Sequence, residues 1–444
     1  MTSASAPQRA PHWPGLCRDF HSTVVELGAT KDGIDLRRRA EARFLYAEHK
    51  PFLLGPPQLI RGALADTLRR VTGAYHRCIE RIVLASRNDE RVRNTLSTPP
   101  ALARDLADES EPANSKIHIM RLDILLDRDG GFQILETNAN CPGGFVFSGI
   151  CNRAWREFLE AQGCPVPPAL KHERKGFMAE WFLEVIEEDT GAKPDFLAFL
   201  REEGGNRFEL TDFGKHVRGL GIECEEIDPR ELKFGGKGAP TANGRPITHA
   251  YQKLGMQRFL ELRPDLDPFV AAVRDRSLFV QNGQKGRWVG DDKLCLAMIS
   301  DPDFAGLFAK DDLKTLEPHV PWSRNAGHLP ADRLESVRRE RGAYVLKRGL
   351  DTRGHGVVVG RETDDVTWAA AVDFAVRDAW LVQEFHETTW IERDFDSPHT
   401  QRHDVALGAI NGELTTLFMR SSGEMRVNMA RTGRMHPVFL GTGP

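Results

Sequence analysis

Residues 121–144 read RLDILLDRDGGFQILETNANCPGG, and this stretch predicts two strands joined by a tight turn. LDILL and FQIL have the composition of strands, and DRDGG between them supplies the Asp and Gly residues that tight turns favour. Side chains alternate along a strand, so Arg121 and Asp123 share a face, as do Glu136 and Asn138. An in-register hairpin would therefore gather one guanidinium and three oxygen-bearing side chains on one face.

These four side chains suit a site for a metal ion and phosphate. The carboxylates of Asp123 and Glu136 and the amide oxygen of Asn138 are the ligands of a hard cation such as Mg²⁺, which also keeps water and phosphate oxygens. Arg121 would lie beside those phosphates. The alternative is a surface hairpin with solvated charges, which explains less well why the charges share a face of otherwise apolar strands.

Length and composition restrict the class of protein. A chain of 444 residues is too long for one ordinary core, so two or three structural units are expected. Hydrophobic residues make up 40% and the formal net charge is -4, which favours small-molecule chemistry over nucleic-acid binding. The seven cysteines are scattered without a CxxC pair, which indicates reduced thiols. With no apolar run of membrane-spanning length, a cytoplasmic protein without membrane or nucleic-acid partners is expected.

The patterns along the chain predict an α/β (α+β) protein in four segments. Amphipathic, Arg-rich stretches make 1–116 a mainly helical region, whose Arg faces are either solvated surface or a binding site for an anionic substrate. The hairpin and a following helix occupy 117–174. Strands and helices alternate through 175–290, as in a βαβ layer. The segment 291–444 holds a helix at DDKLCLAMI and a strand-rich end.

The stretch AYVLKRGLDTRGHGVVVG (343–360) predicts a strand, a Gly-rich loop and a second strand. Lys347 ends the first strand, where an ammonium group is costly unless it meets an anion. Gly354 and Gly356 would let backbone N–H groups approach phosphate oxygens. The stretch is neither a Walker A motif nor a GxGxxG fingerprint. An ordinary surface hairpin is the alternative.

Two further stretches would complete a nucleotide site. WLVQEFHE (380–387) reads as a buried strand that ends in a hinge for adenine, with Glu387 or Glu392 near the ribose. Its predicted nucleotide-binding residues are Gln383, Glu384, Phe385 and Glu387. FMRSSGEMRVN places Arg420 at a strand end, where it would neutralise a transferring phosphate unless it is plain surface charge.

RHDVALGAINGEL (402–414) predicts a strand, a turn and a strand. Together these stretches resemble the motifs of the ATP-grasp superfamily: a phosphate-binding Lys and Gly loop, an adenine hinge, central strands and a metal-binding D…ExN hairpin. In the usual order the Lys comes first, whereas here Glu136 precedes Lys347. The order resembles the circularly permuted, glutathionylspermidine-synthase-like branch. The resemblance implies a circularly permuted ATP-grasp fold with a pre-ATP-grasp-like α/β domain at 175–290.

The resemblance also implies roles for individual residues. Lys293 in GDDKLCLAM matches a Lys on a helix of that branch, and Lys347 matches its strand Lys. The RxD…ExN set is matched by Arg121, Asp123, Glu136 and Asn138. The sequence departs from the branch at Arg348, where the branch has Pro, and in the spacing of RGHG, which leaves the substrate open.

The function implied is that of an ATP-dependent, ADP-forming carboxylate–amine ligase. ATP and Mg²⁺ would be bound, Arg121 and Arg420 would offset charge on an acyl phosphate, and an amino acid or short peptide would be joined to an amine. Homodimer formation is left open. The alternatives are phosphotransfer to a non-carboxylate acceptor and a nucleotide-binding subunit without turnover.

Overall fold

The computed structural model describes residues 13–43, 45–46, 50–51, 53–108, 112–140, 142–202, 208–234, 238–351, 356–391, 395, 401–423, 427 and 433–442. The α-helices are α1 Arg18–Gly28, α2 Lys31–Arg43, α3 Gly62–Ala85, α4 Glu90–Thr95, α5 Pro100–Asp108, α6 Phe145–Ala161, α7 Phe177–Thr190, α8 Phe208–Gly219, α9 Met256–Leu262, α10 Asp267–Arg274, α11 Lys285–Asp291, α12 Cys295–Ile299, α13 Lys310–Leu316, α14 Ala331–Arg339 and α15 Asp365–Arg377. The strands are β1 Leu45–Tyr46, β2 Lys50–Pro51, β3 Leu53–Leu54, β4 Gln58–Ile60, β5 Ile119–Leu126, β6 Phe132–Asn138, β7 Phe196–Leu200, β8 Glu223–Ile227, β9 Thr241–Ala242, β10 Arg245–Pro246, β11 His249–Gln252, β12 Phe279–Val280, β13 Ser323–Asn325, β14 Tyr344–Lys347, β15 Val357–Val359, β16 Leu381–Glu384, β17 Trp390–Ile391, β18 Gln401–Ile410, β19 Glu413–Ser422 and β20 Arg434–Leu440.

The largest sheet has eight strands and joins distant parts of the chain. Its main path runs β3-β20-β19-β18-β5-β6, with β4 beside β20 and β17 beside β18. The predicted hairpin is β5 and β6, and it pairs through β5 with the C-terminal strand β18. The N-terminal segment, predicted to be mainly helical, carries α1–α5 but also supplies β3 and β4 to this sheet.

The strand, turn and strand predicted at RHDVALGAINGEL are confirmed as β18 and β19. Asn411 (φ 46°) and Gly412 (φ 78°) form the link between the strands. Two consecutive positive φ angles are the requirement of the two-residue turn that matches strand twist, and Asn-Gly meets it at little cost. The local sequence therefore fixes this turn.

Two four-stranded sheets and two two-stranded sheets, β1-β2 and β10-β9, complete the architecture of the described residues. β12-β11-β7-β8 is parallel throughout, which confirms the predicted alternation of strands and helices in this part of the chain. β13-β16-β14-β15 is antiparallel, and its apolar face is covered by α14 and α15. This last sheet carries the Lys-bearing strand and the predicted adenine hinge.

Helix α3 explains how the main sheet is covered. Its apolar residues recur every three or four positions, as in Leu68, Val71, Tyr75 and Ile79, and all of them are buried. The helix packs against α11, α13 and β19.

No helix within the described ranges is long and apolar enough to cross a membrane. The overall fold is mixed α/β, as predicted.

Candidate functional site

The hairpin presents its polar residues in the predicted register. Arg121 lies opposite Asn138 and Asp123 lies opposite Glu136, with an irregularity between Asp123 and Ile124. Asp123 is only 2% exposed. The alternative of a surface hairpin with solvated charges is therefore wrong.

Two guanidinium groups hold the Asp123 carboxylate. Arg121 donates to both of its oxygens, at 2.7 and 2.9 Å, and Arg420 donates to Oδ2 at 2.8 Å. The amide of Asn138 adds a donor at 3.3 Å. Burial by itself would raise the pKa of Asp123, but the two arginines outweigh it and lower the pKa to about 2. Asp123 is therefore ionised across the physiological range.

Arg420 is not the plain surface charge that the sequence left open. It lies in β19, only 16% of its side chain is exposed, and it donates to both oxygens of Asp404 at 2.8 Å. Asp404 lies directly opposite it in β18. Burial raises the pKa of Asp404 to about 6 against the opposing effect of Arg420, and the nearby charge of Asp123 adds to the rise. Sequence reasoning missed Asp404, although it belongs to the RHDVALG strand.

Lys293 links the hairpin to the Gly-rich loop. Its Nζ lies 3.3 Å from Glu136 Oε2 and donates to the carbonyl of Asp351 at 2.7 Å. The resemblance placed Lys293 on a helix, but it lies in the turn between α11 and α12. There the Asp292 carboxylate accepts from the backbone N–H of Leu294, which competes with helix continuation. Burial lowers the pKa of Lys293, but Glu136 and other acidic neighbours reverse the shift.

Lys347 ends β14, as predicted, and connects the antiparallel sheet to the hairpin. Its Nζ donates to the Leu135 carbonyl in β6 at 2.9 Å and to Gln383 Oε1 in β16 at 2.7 Å. Burial lowers its pKa to about 8, and Glu136 opposes the shift. Lys347, Lys293 and Glu136 therefore belong to one polar cluster between two sheets.

The Gly-rich loop is described only at its two ends. Gly356 has a φ of 63°, a conformation that glycine adopts without strain, whereas Gly354 lies outside the described residues. Gly349 approaches Ser97 so closely that an added Cβ would lie 2.0 Å from its hydroxyl oxygen. The start of the loop is therefore fixed against the N-terminal region.

Two backbone N–H groups and one side chain of the predicted adenine hinge are hydrogen-bonded within the protein. The backbone N–H of Glu384 donates to the Trp322 carbonyl, and that of Phe385 donates to the Ala343 carbonyl, both within 3 Å. The side chain of Gln383 binds Lys347, as described above. An adenine at this hinge would have to use other groups than these two N–H groups.

Glu387, predicted near the ribose, faces two arginines. Its Oε2 lies 3.3 Å from Arg128 in the turn of the hairpin and 3.6 Å from Arg361. Glu392, the other candidate for the ribose, lies outside the described residues. The structure therefore leaves the role of Glu387 a prediction.

A second set of residues, missed by sequence reasoning, holds the turn after the hairpin. Asp291 accepts from the backbone N–H groups of Ala139 and Asn140 at 2.7 and 3.0 Å. The fully buried Arg287 donates to Asn140 Oδ1 at 3.0 Å. Their only sequence signal is a charged residue beside apolar ones in GRWVGDDKL. These contacts hold the two residues that follow Asn138 and so fix the position of Asn138 at the end of β6.

The side-chain oxygens of Asp123, Glu136 and Asn138 suit a hard cation that takes only a few of its ligands from the protein. No group of three or more His, Cys, Asp or Glu side chains arranged for a metal occurs in the described parts of the chain. Asp123 and Glu136, cross-strand partners, could nevertheless hold Mg²⁺ together with Asn138, because this ion keeps water and substrate oxygens as its remaining ligands. These residues would hold the ion, with Arg121 fixing the Asp123 carboxylate.

Comparison with known proteins bears on the fold. No protein-family model and no curated protein matches the chain. A glutathione synthetase-like effector from Globodera pallida, solved in its apo form, superposes with a TM-score of 0.64 over 95% of this chain and 97% of that one, at 13% identity. At this identity the likeness shows the fold alone. The chain thus has an ATP-grasp-related fold like that of glutathione synthetase-like proteins.

Proposed function

We propose that the protein is an ATP-dependent carboxylate–amine ligase of the circularly permuted, glutathionylspermidine-synthase-like ATP-grasp type. The observation that carries the proposal is the contact between two sheets at the site. Lys347 and Lys293, which suit phosphate, meet the strand that carries Glu136. The ATP-grasp-related fold supports the same assignment. The substrates would be an amino acid or short peptide and an amine, as in peptide biosynthesis.

The reaction would proceed in two steps. A substrate carboxylate oxygen attacks the γ-phosphorus of ATP, which gives an acyl phosphate and ADP. The amine then attacks the acyl carbon, phosphate leaves with the bonding electrons, and the amine proton is lost to solvent. Bound Mg²⁺ would neutralise phosphate charge during the first step.

The chain's own residues position and neutralise the reacting groups. Lys293 and Lys347 would bind phosphate oxygens, and Arg121 and Arg420 would offset charge that develops on the transferring phosphoryl group beside Asp123. Such chemistry needs fixed charge more than a covalent nucleophile. The buried ion pairs around Asp123 provide that charge in a fixed geometry.

The test is release of ADP from Mg-ATP in the presence of pools of amino acids, short peptides and polyamines, with ADP and AMP separated by chromatography. Pool-dependent ADP together with a new amide mass supports the ligase. AMP in place of ADP refutes the acyl-phosphate route. ATP binding without ADP under any pool favours a non-catalytic subunit, and a phosphorylated non-carboxylate product favours the phosphotransferase.

Glu136→Gln is the sharpest variant for the metal assignment. Glu136 is partly exposed, and Lys293 keeps its bond to the Asp351 carbonyl when the Glu136 charge is removed. The protein should therefore remain folded while turnover falls on the order of 10²-fold. Glu188→Gln, on the exposed face of α7, is the matched control. Unchanged turnover in the Glu136 variant would refute a role for this carboxylate in metal binding.

A further inference from the structure

We propose that Asp404 is a positioning residue that holds the guanidinium of Arg420 at the reacting phosphoryl group. The inference rests on the proposed ligase function. It adds a residue that is not among those the family resemblance assigns to metal or phosphate binding. Three strands of the main sheet take part: β5 with Asp123, β18 with Asp404 and β19 with Arg420.

The Arg420 guanidinium makes two hydrogen bonds to Asp404 and one to Asp123. Nε donates to Asp404 Oδ1 and Nη2 donates to Asp404 Oδ2, each at 2.8 Å, so this contact is bidentate. Only Nη2 reaches Asp123, also at 2.8 Å. Asp404 is 6% exposed, so little solvent competes for the contact. Asp404 therefore sets the orientation of the Arg420 guanidinium, and in that orientation Nη2 also reaches Asp123.

The residue between the two carboxylates leaves space for this arrangement. Ala406 pairs with Asp123 on one side and with Phe418 on the other, and its side chain is a single methyl group. Arg420, two residues beyond Phe418 in β19, reaches Asp123 across β18 on the sheet face that carries Ala406. A long side chain at 406 would obstruct that path.

The role of Asp404 follows from what a bound cation does to Asp123. A divalent ion on Asp123 would compete with Arg420 for Oδ2 and would repel the guanidinium. The bidentate bond to Asp404 then remains as the contact that keeps Arg420 in place. In the loaded enzyme Asp404 supplies the opposing charge, so Arg420 can stay beside the transferring phosphoryl group.

The kinetic test compares wild type, Asp404→Asn, Arg420→Ala and the double variant. Asp404→Asn should lower kcat by 10- to 100-fold and change KM for ATP less than threefold, because Arg420 acts on the transition state. The double variant should be no slower than Arg420→Ala, since Asp404 acts only through Arg420. Losses that multiply in the double variant would overturn the inference.

A matched control separates positioning from loss of stability. Asp312 in α13 makes a similar contact with a residue outside the site, accepting from Nε and Nη2 of Arg77 at 2.6 to 3.1 Å, and it is also buried, although the Arg77 side chain is 59% exposed. Asp312→Asn should lower the thermal midpoint as Asp404→Asn does, but leave kcat within twofold of wild type. Equal kcat losses in the two variants would show that the effect of Asp404 is structural.

A second readout does not depend on turnover. The ¹⁵Nε–¹H resonance of Arg420, identified by its absence in Arg420→Lys, should exchange slowly with solvent in wild type loaded with Mg²⁺ and a non-hydrolysable ATP analogue. In Asp404→Asn this protection should fall at least tenfold. Protection retained in the variant overturns the inference even if the wild type releases ADP. If the wild type releases no ADP, the proposed function fails and this readout still decides the role of Asp404.

Discussion

The titration of Lys347 gives a prediction that tests the buried contact between the two sheets. Burial lowers the pKa of its ammonium from 10.5 to about 8, against the opposing effect of Glu136. The folded protein therefore gives up this proton at a lower pH than the unfolded chain does. Replacing Lys347 with Met removes the titrating group and keeps most of the apolar stem.

The magnitude follows from linkage. Between pH 8 and 10.5 the unfolded chain binds more protons at this position than the folded protein, so stability rises with pH in that window. Each pH unit contributes about 1.4 kcal/mol at most, which gives about 2 kcal/mol between pH 7.5 and 9.5. The Met variant lacks this increment, so its stability relative to wild type should fall by that amount over the same interval.

The assay is urea unfolding of the wild type and two variants at pH 7.5 and 9.5. Lys175→Met, at an exposed position, is the control and should follow the wild type at both pH values. If the difference between wild type and Lys347→Met changes by less than about 0.5 kcal/mol, the ammonium is not buried as described, and the reasoning fails. ATP affinity should move the opposite way and weaken above pH 8, because phosphate needs the charged amine.

Two further predictions concern packing and acid sensitivity. Gly349→Ala should cost about 1–3 kcal/mol in urea unfolding, because the new Cβ would lie 2.0 Å from the Ser97 hydroxyl oxygen and 2.8 Å from its Cβ. His118 is buried with its pKa lowered to about 4, and the backbone N–H of Asn282 donates to its Nδ1. The unfolded chain binds the proton more readily, so about 2 kcal/mol of stability should be lost between pH 7 and pH 5, and less in His118→Gln. The control for Gly349→Ala is Gly342→Ala, whose new Cβ would meet nothing closer than 3.9 Å. Its free energy of unfolding should stay within about 0.5 kcal/mol of wild type.

Each has a result that would contradict it. A Gly349 variant as stable as the Gly342 control would show that the loop is free to shift away from Ser97. An acid sensitivity equal in wild type and His118→Gln would assign the effect to other buried groups, such as His172 and His436, whose pKa values burial also lowers to about 4.

The sequence alone determined the local features of this protein. Alternation placed Arg121 and Asp123 on one face of a strand, because the side-chain period of a strand does not depend on what it pairs with. Asn411 and Gly412 determined a turn, since few residues accept two consecutive positive φ angles. The end of an apolar run located Lys347 at the edge of its strand.

The tertiary structure decided which of these features meet. The partners of Asp123 come from its own strand, from β6 and from β19, and the proximity of β5 to β19 follows from the order of strands in the sheet. The same order brought in Asp404, which no local pattern distinguished from any other polar residue of a strand. Lys293 lies outside the helix predicted for it because the Asp292 carboxylate accepts hydrogen bonds from the backbone N–H groups of Leu294 and Ser97. Periodicity specifies the face of a strand, but long-range pairing, set by burial of the whole sheet, specifies its neighbours.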